Sequence, residues 1–459
     1  PELTMKLFTL LLLTMVVSCA PKDNITKPKN NSLIIENVNI VDVVNQKIVA
    51  DKTIVIRNGV IETISNDISL LNFPNIEVID GKGGYVTPGL IDMHVHMYEE
   101  AAYILTLSHG VTHVRIMNGL TEHLLWRDNI ELGTQIGSSS SVSSPIISGN
   151  KDVTLQHGVV NAEEAKKAVR QYHDAGYDLI KAYGDLNKES LLAIVEQGKK
   201  LNIPIAKHGP HASGDMPISL LNGLQSFEHV EDIYQGPLNH QHAGALLPKV
   251  MMDLKATNVA VTPTLNIYYQ LTQLSKEKEA YLSATHTEYT SDIIEFEALQ
   301  NQAKRWLESS DEMASHNQKT LSFLIHITKV MHDNDIPLLV GSDSGVLLSP
   351  HGIATHTEMK LLEQAGLSAF EVLRAATVNP AKALKLDNKI GQVSENFNAD
   401  FIYTKTNPID DLKVLKESEA VINNGYWYAR NTLNSIRKEA IDSRSFWKEL
   451  GILIEGMSR

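Results

Sequence analysis

The sequence predicts an α/β protein in which βα units surround a parallel sheet and a small, discontinuous β-domain stands beside them. Three observations carry that prediction. Residues 33–86 hold short β-rich runs, residues 87–390 alternate short apolar strands with helical segments, and strand character returns in 391–430. At 459 residues, 43% hydrophobic and 21% charged, the chain is long enough for a large core and has a globular composition. Its formal net charge of −13 leaves no basic excess, so nucleic acid is not an expected partner.

Residues 1–19 are expected to lie outside the fold. Met5-Lys6 leads into an apolar run, Leu7 to Val17, about the length of a secretory signal core and too short to span a bilayer. The run ends in Val16-Val17-Ser18-Cys19, which resembles a bacterial lipoprotein signal; an ordinary signal with a cysteine nearby is the alternative. A lipid on Cys19 would make the membrane a partner and place the protein in the bacterial cell envelope, on the periplasmic side. Cys19 is also the only cysteine, so no internal disulfide is possible. Residues 20–32, rich in Lys, Asn and Pro, read as a tether.

The first β-runs are Leu33-Ile34-Ile35, Val38 to Val41, Thr53 to Ile56 and Ile76 to Ile79, with Asn58-Gly59 as a hairpin signal. Gly81-Lys82-Gly83-Gly84 reads as a turn before a strand from Thr87 to Met97. Later strands are Val111 to Met117, Leu179 to Tyr183, Pro204 to His208, Ser226 to His229, Val259 to Thr262 and Pro337 to Gly341. Between them lie helices Ala162 to Ala175, capped by Asn161 and stopped by Gly176, and Leu191 to Leu201, while Leu220 to Gly223 closes another. Ser138 to Ser144 reads as a loop. A long helical insertion, about 265–334, is either a lid or a pair of structural helices outside the barrel. Helix resumes from Ser368 to the Asn379-Pro380 step, Ala399 to Tyr403 and Ala420 to Gly425 complete the first sheet, and 431–459 form a helical tail.

The chemistry-bearing residues recur at strand ends. His94 and His96, two apart on a strand, project from one face and can share one divalent ion. Lys181, His208, His229 and Asp343 each lie at or just past the carboxyl end of a later strand, where a barrel of βα units places functional groups. Singly, each is an ordinary surface or turn residue. Such a recurrence is hard to assign to turns.

These residues, with Pro88-Gly89-Leu90-Ile91-Asp92-Met93-His94-Val95-His96, Ile180-Lys181-Ala182-Tyr183, Glu228-His229, Gly341 to Gly345, Ala375 to Ala381 and Ala399-Asp400, resemble the metal-dependent amidohydrolase superfamily. The likeness runs from about Leu33 to Tyr428 and points to the branch of imidazolonepropionase-like enzymes and zinc-dependent, prolidase-like dipeptidases. It implies a (β/α)8 TIM barrel (87–390) beside a small β-sandwich (33–86 and 391–430) and two divalent ions, zinc by preference. His94 and His96 would bind one ion, His208 and His229 the other, with His211 as a rival to His208. Lys181, carbamylated, would bridge them, since an ammonium has no lone pair to donate. Asp343 would touch the first ion and carry the proton as hydroxide attacks a C–N bond.

The resemblance implies a small-molecule or dipeptide substrate. Tyr183 and Arg115 are the candidates to meet its carboxylate, with His211 as a further contact; the alternatives are a structural Tyr183 at the barrel mouth and an internal ion pair for Arg115. Two departures bear on that expectation: Arg115-Ile116-Met117-Asn118 stands where many relatives carry Arg-Asp, and a Ser-rich Gly137 to Gly149 where they commonly present Gly-Pro-Arg. Hydrolysis of a dipeptide or acyl-amino acid, hydrolysis of a cyclic amide, and a metal-binding lipoprotein without turnover are the three readings. The six intact metal-centre positions weigh against the last.

Overall fold

The computed structural model describes residues 30–66, 76–209, 217–242 and 244–457. The signal with Cys19, most of the tether, and His211 lie outside the described residues. Four strands open the chain: β1 (Leu33–Asp42), β2 (Lys47–Arg57), β3 (Val60–Ser65) and β4 (Glu77–Pro88). The Asn58-Gly59 turn joins β2 to β3 with both residues at positive φ, as a tight hairpin requires. Gly81 to Gly84 is not a turn. It forms an irregularity inside β4, where a Cβ on Gly81 would strike Val38 and one on Gly84 would strike Tyr403.

The barrel follows. Strands β5 (Leu90–Val95), β6 (Val111–Ile116) and β7 (Ser139–Val142) pair in parallel. Strand β8 (Ile146–Ser148), with β9 (Gln156–Gly158) on its edge, continues the direction of β7 and pairs with β10 (Ile180–Ala182). A bridge from Ser143 to Leu179 carries the ring onto β10, and β11 (Ile205–His208), β12 (Ser226–Glu228) and β13 (Ala260–Thr262) follow in parallel. Residues 337–344 close it. They bridge Val261 through Leu338 and Val95 through Ser344, and Met93 N–H donates to Val340 O at 2.8 Å.

Ser139–Val142 is therefore a barrel strand rather than a loop. Its serines hide the apolar pattern a strand usually shows, but their hydroxyls bond across the sheet: Ser138 to Val111 O, Ser139 to Thr112 O, and both His113 ring nitrogens to Ser139 and Ser141. The late helix also differs from expectation. It breaks at Thr377, and Pro380 sits in the first turn of a new helix, Val378–Ala383, where its missing N–H costs nothing.

Strands β14 (Phe401–Thr404), β15 (Ala420–Asn423) and β16 (Tyr426–Ala429) complete the β-domain as one seven-stranded sheet, ordered β16-β15-β14-β4-β1-β2-β3. The sheet folds back on itself. Its edge at Val60 bridges Asn398, and Ala399 N–H donates to Gly59 O at 2.8 Å, enclosing Ile35, Ile54, Ile56, Ile61, Phe401 and Ile422. The sandwich is thus one continuous sheet.

The insertion is five helices, the longest Leu265–Glu277 and Asp311–Asp333. Leu271, Leu274, Leu321, Leu324, Ile327 and Met331 belong to the main core, so this pair is part of the barrel's outer wall. The tail helices Arg430–Asp442 and Phe446–Met457 return over the loop after β5. There Glu449 meets Glu99, with Arg444 and Asp292 close by, in a pocket that Glu100 and Lys448 also line. Burial first, and the neighbouring Glu449 second, push Glu99 from its ordinary 4.5 up to about 9. A raised carboxyl keeps its proton in the fold where the unfolded chain has lost it, so its contribution is full below the ordinary value and declines as pH approaches the folded one. Thermal melts should therefore fall from about pH 5 to about pH 9, and Glu99→Gln should flatten that slope. An unchanged slope would place the titration elsewhere.

Candidate metal centre

His94 lies at the end of β5 and His96 just beyond it, on the same face. Asp343 faces them from residues 337–344, its N–H donating to His94 O at 2.7 Å. Asp343 Oδ1 stands 3.1 Å from His96 Nε2 and 3.6 Å from His94 Nε2. One ligand atom from each of the three lies within 4.8 Å of the others, the arrangement a divalent ion requires. Burial alone would raise the Asp343 carboxyl, but His94, His96 and His229 hold it well below the usual carboxylate range.

His229 and His208 continue the cluster. The His229 ring lies 4.7 Å from that of His94 and 4.4 Å from that of His208, and its Nδ1 is 3.9 Å from Asp343 Oδ2. Thr264 Oγ1, 2.8 Å from His229 Nδ1, occupies that nitrogen and leaves Nε2 as the other donor. His229, Thr264 and Asp343 all take positive φ, at 66°, 51° and 52°. Three non-glycine residues in that region at neighbouring strand ends mark a site where surrounding structure holds strained backbone.

Lys181 is the chemically revealing residue. Its side chain is 1% exposed, yet Nζ has no hydrogen-bond partner among the described residues. Burial pulls its pKa down to about 8, so a good share of the amine is neutral near physiological pH. A buried, unpartnered, partly neutral amine among histidines fits a carbamate, whose two oxygens would replace the missing partners. Burial likewise depresses His94 to about 4 and holds His208 and His229 well below the ordinary imidazole value, keeping their nitrogens free to donate lone pairs.

Of the two readings of Arg115, the structure shows the internal ion pair, which corrects the substrate contact. Its side chain is fully buried in the barrel, and every nitrogen is engaged: Nε donates to Met93 O, Nη1 to Gln225 and Ser226, and Nη2 to Glu228 Oε1 at 2.8 Å. It cannot reach a substrate. Its partner Glu228 was not singled out from the sequence as functional, although Glu228-His229 belongs to the recognised pattern. Glu228 Oε2 accepts from His94 Nδ1 at 2.8 Å, fixing the tautomer that turns Nε2 toward Asp343. Tyr183 is half-buried beside the site, its ring 4.5 Å from that of His208. Asp232, also unforeseen, lies 3.4 Å from His208 Nε2, and burial pushes it up to about 7. A cavity of about 190 Å³ opens off His208, His229 and Asp343 and is walled by Glu231, Tyr268 and Leu324. The insertion helices thus shape the site's wall as well as the core.

Known proteins are similar to this chain in sequence and in fold. The sequence model of the amidohydrolase family matches residues 85–425. The imidazolonepropionase of Idiomarina loihiensis is 23% identical over 392 residues, covering 80% of this chain and 89% of its own. Among solved structures, a bottromycin amidohydrolase superposes with a TM-score of 0.75 at 20% identity, over 90% of this chain and 91% of its own. An Xaa-Pro dipeptidase with bound methionine superposes at 0.67 and 20% identity, over 87% of this chain and all of its own. At such identities the structures share the fold, but the family match spans most of the sequence, from the end of β4 past β15, and takes in each strand-end residue described above: the chain belongs to the amidohydrolase family.

Proposed function

We propose that the chain is a two-metal hydrolase that cleaves the C–N bond of a dipeptide or N-acyl amino acid. The observation that carries this reading is the buried, unpartnered Lys181 amine beside five potential ligands. His94, His96 and Asp343 would hold one ion, His208 and His229 the other, with a carbamate on Lys181 shared between them. Divalent ions in this donor set, zinc above all, supply a Lewis acid and a nucleophile from water at neutral pH.

The remaining work falls to the chain's own groups. Asp343 is ionised and reaches toward both histidine clusters, so it can take the proton from the attacking water and deliver it to the departing nitrogen. Tyr183, its ring beside that of His208, would supply a hydroxyl for the substrate's carboxylate. The apolar run ending at Cys19 supports an envelope location with a lipid anchor. A second reading, hydrolysis of a cyclic amide, is favoured by one observation: with Arg115 locked inside the barrel, no Lys or Arg lines the cavity among the described residues.

Zinc-loaded protein should be assayed on a pooled library of dipeptides with D-residue and N-acylated members. Cleavage that requires a free carboxylate supports the first reading. Cleavage of lactams alone, with dipeptides untouched, replaces it with the second. Asp343→Asn should lower kcat by about 10²–10⁴-fold with metal still bound, the range for a lost general acid–base. Full activity in that variant would remove Asp343 from proton transfer.

A further inference from the structure

The cavity beside the metal centre has a one-sided acidic lining that amide hydrolysis by itself does not require. Apart from the candidate ligands, its acidic lining residues are Glu231 and Asp232, both raised by burial to about 7, and no Lys or Arg lines it among the described residues. Asp232 is engaged with His208. Glu231 is differently placed: it is half-buried, and the Gln235 amide donates to Oε1, orienting the carboxylate and leaving Oε2 without a protein donor among the described residues. Tyr268 lines the same cavity and is close enough to feel the Glu231 charge. A carboxylate and an aromatic ring sharing one small cavity form an environment suited to a cation.

We propose that Glu231 determines specificity, selecting amide substrates that carry a protonated nitrogen into this cavity. This rests on the hydrolase reading and deepens it. The protonated nitrogen has two sources, the free α-ammonium of a dipeptide or a basic side chain, and both present the same N–H donors. A neutral isostere would leave Glu231 desolvated with no partner, which is the arrangement that discriminates most strongly between substrates.

The test uses the zinc-loaded full chain and matched substrate pairs: lysine against norleucine, arginine against citrulline, and free against N-acetylated α-amine. The wild type should prefer the cationic member of at least one pair by about tenfold or more in kcat/KM, and the pair that discriminates identifies the source. Glu231→Gln should abolish that preference with unchanged metal content, and Glu231→Lys should invert it. A preference that survives Glu231→Gln overturns the proposal, as does equal turnover of both members of every pair. Binding without turnover separates this from the hydrolase reading. n-Butylguanidinium should raise the melting temperature of wild type above that of Glu231→Gln, whereas n-pentanol should not distinguish them. If no amide is cleaved but that difference holds, the hydrolase reading fails and the cation site stands; if it is absent, the cation site falls.

Discussion

Lys181→Ala is expected to lower turnover to background, roughly 10³-fold or more, since a two-metal centre supplies several kcal/mol and each 1.36 kcal/mol is a factor of ten. The reasoning begins from burial. A lysine at 1% exposure without a hydrogen-bond partner is an anomaly in a folded interior, because its ammonium would pay desolvation with no return. Lowering its pKa to about 8 relieves part of that cost and makes the neutral amine available to react with carbon dioxide. Truncation to alanine would remove the proposed shared ligand and leave His94, His96, Asp343, His208 and His229 in place. Metal content should then fall from two ions per chain toward one or none. Acetate or propionate should restore part of it, because a short carboxylate fits the vacated space and offers two oxygens. Two ions per chain in Lys181→Ala without added carboxylate would show that the lysine bridges nothing.

What the sequence discloses about this site follows from distance along the chain. His94 and His96 stand out as candidate ligands because period two is a local rule of strands, and the other candidates because βα repetition places strand ends at regular intervals. Both rules are local. The partners that hold those ligands are not. Glu228 meets His94 across 134 positions and Arg115 across 113, and only the closed ring brings them together. Hence the sequence leaves Arg115 open between a partner for a substrate anion and an internal ion pair, and only the closed ring decides for the ion pair. The fold shows the same division: helix Ala162–Asp174 announces itself through the Asn161 cap, which accepts from Glu164 N–H, whereas the serine-rich strand Ser139–Val142 is held by cross-sheet hydroxyl bonds that no periodicity reveals. The fold-back of the β-domain depends in the same way on a contact between Val60 and Asn398.

Arg115→Met should cost about 3–5 kcal/mol of stability, the usual penalty for breaking a buried ion pair from one side. Glu228 is fully buried, and Arg115 first, with His94 and Lys181 behind it, holds its carboxyl well below the usual range against the opposing effect of burial. Without the guanidinium, burial prevails and the Glu228 carboxyl rises, so the variant should lose stability progressively as pH increases through the new value. The consequence reaches the metal centre through one hydrogen bond. A protonated Glu228 no longer offers His94 Nδ1 a charged acceptor, and loss of such a support typically weakens metal binding about 10–100-fold. The double variant Arg115→Met/Glu228→Gln should recover much of the stability, because neither charge remains, while keeping the weakened metal site. Chemical denaturation and metal titration read the two effects separately. A substrate-binding arginine would behave in the opposite way, with stability and metal affinity intact and KM raised for free-carboxylate substrates. That result would place Arg115 at the pocket mouth and overturn its assignment as the internal brace of His94.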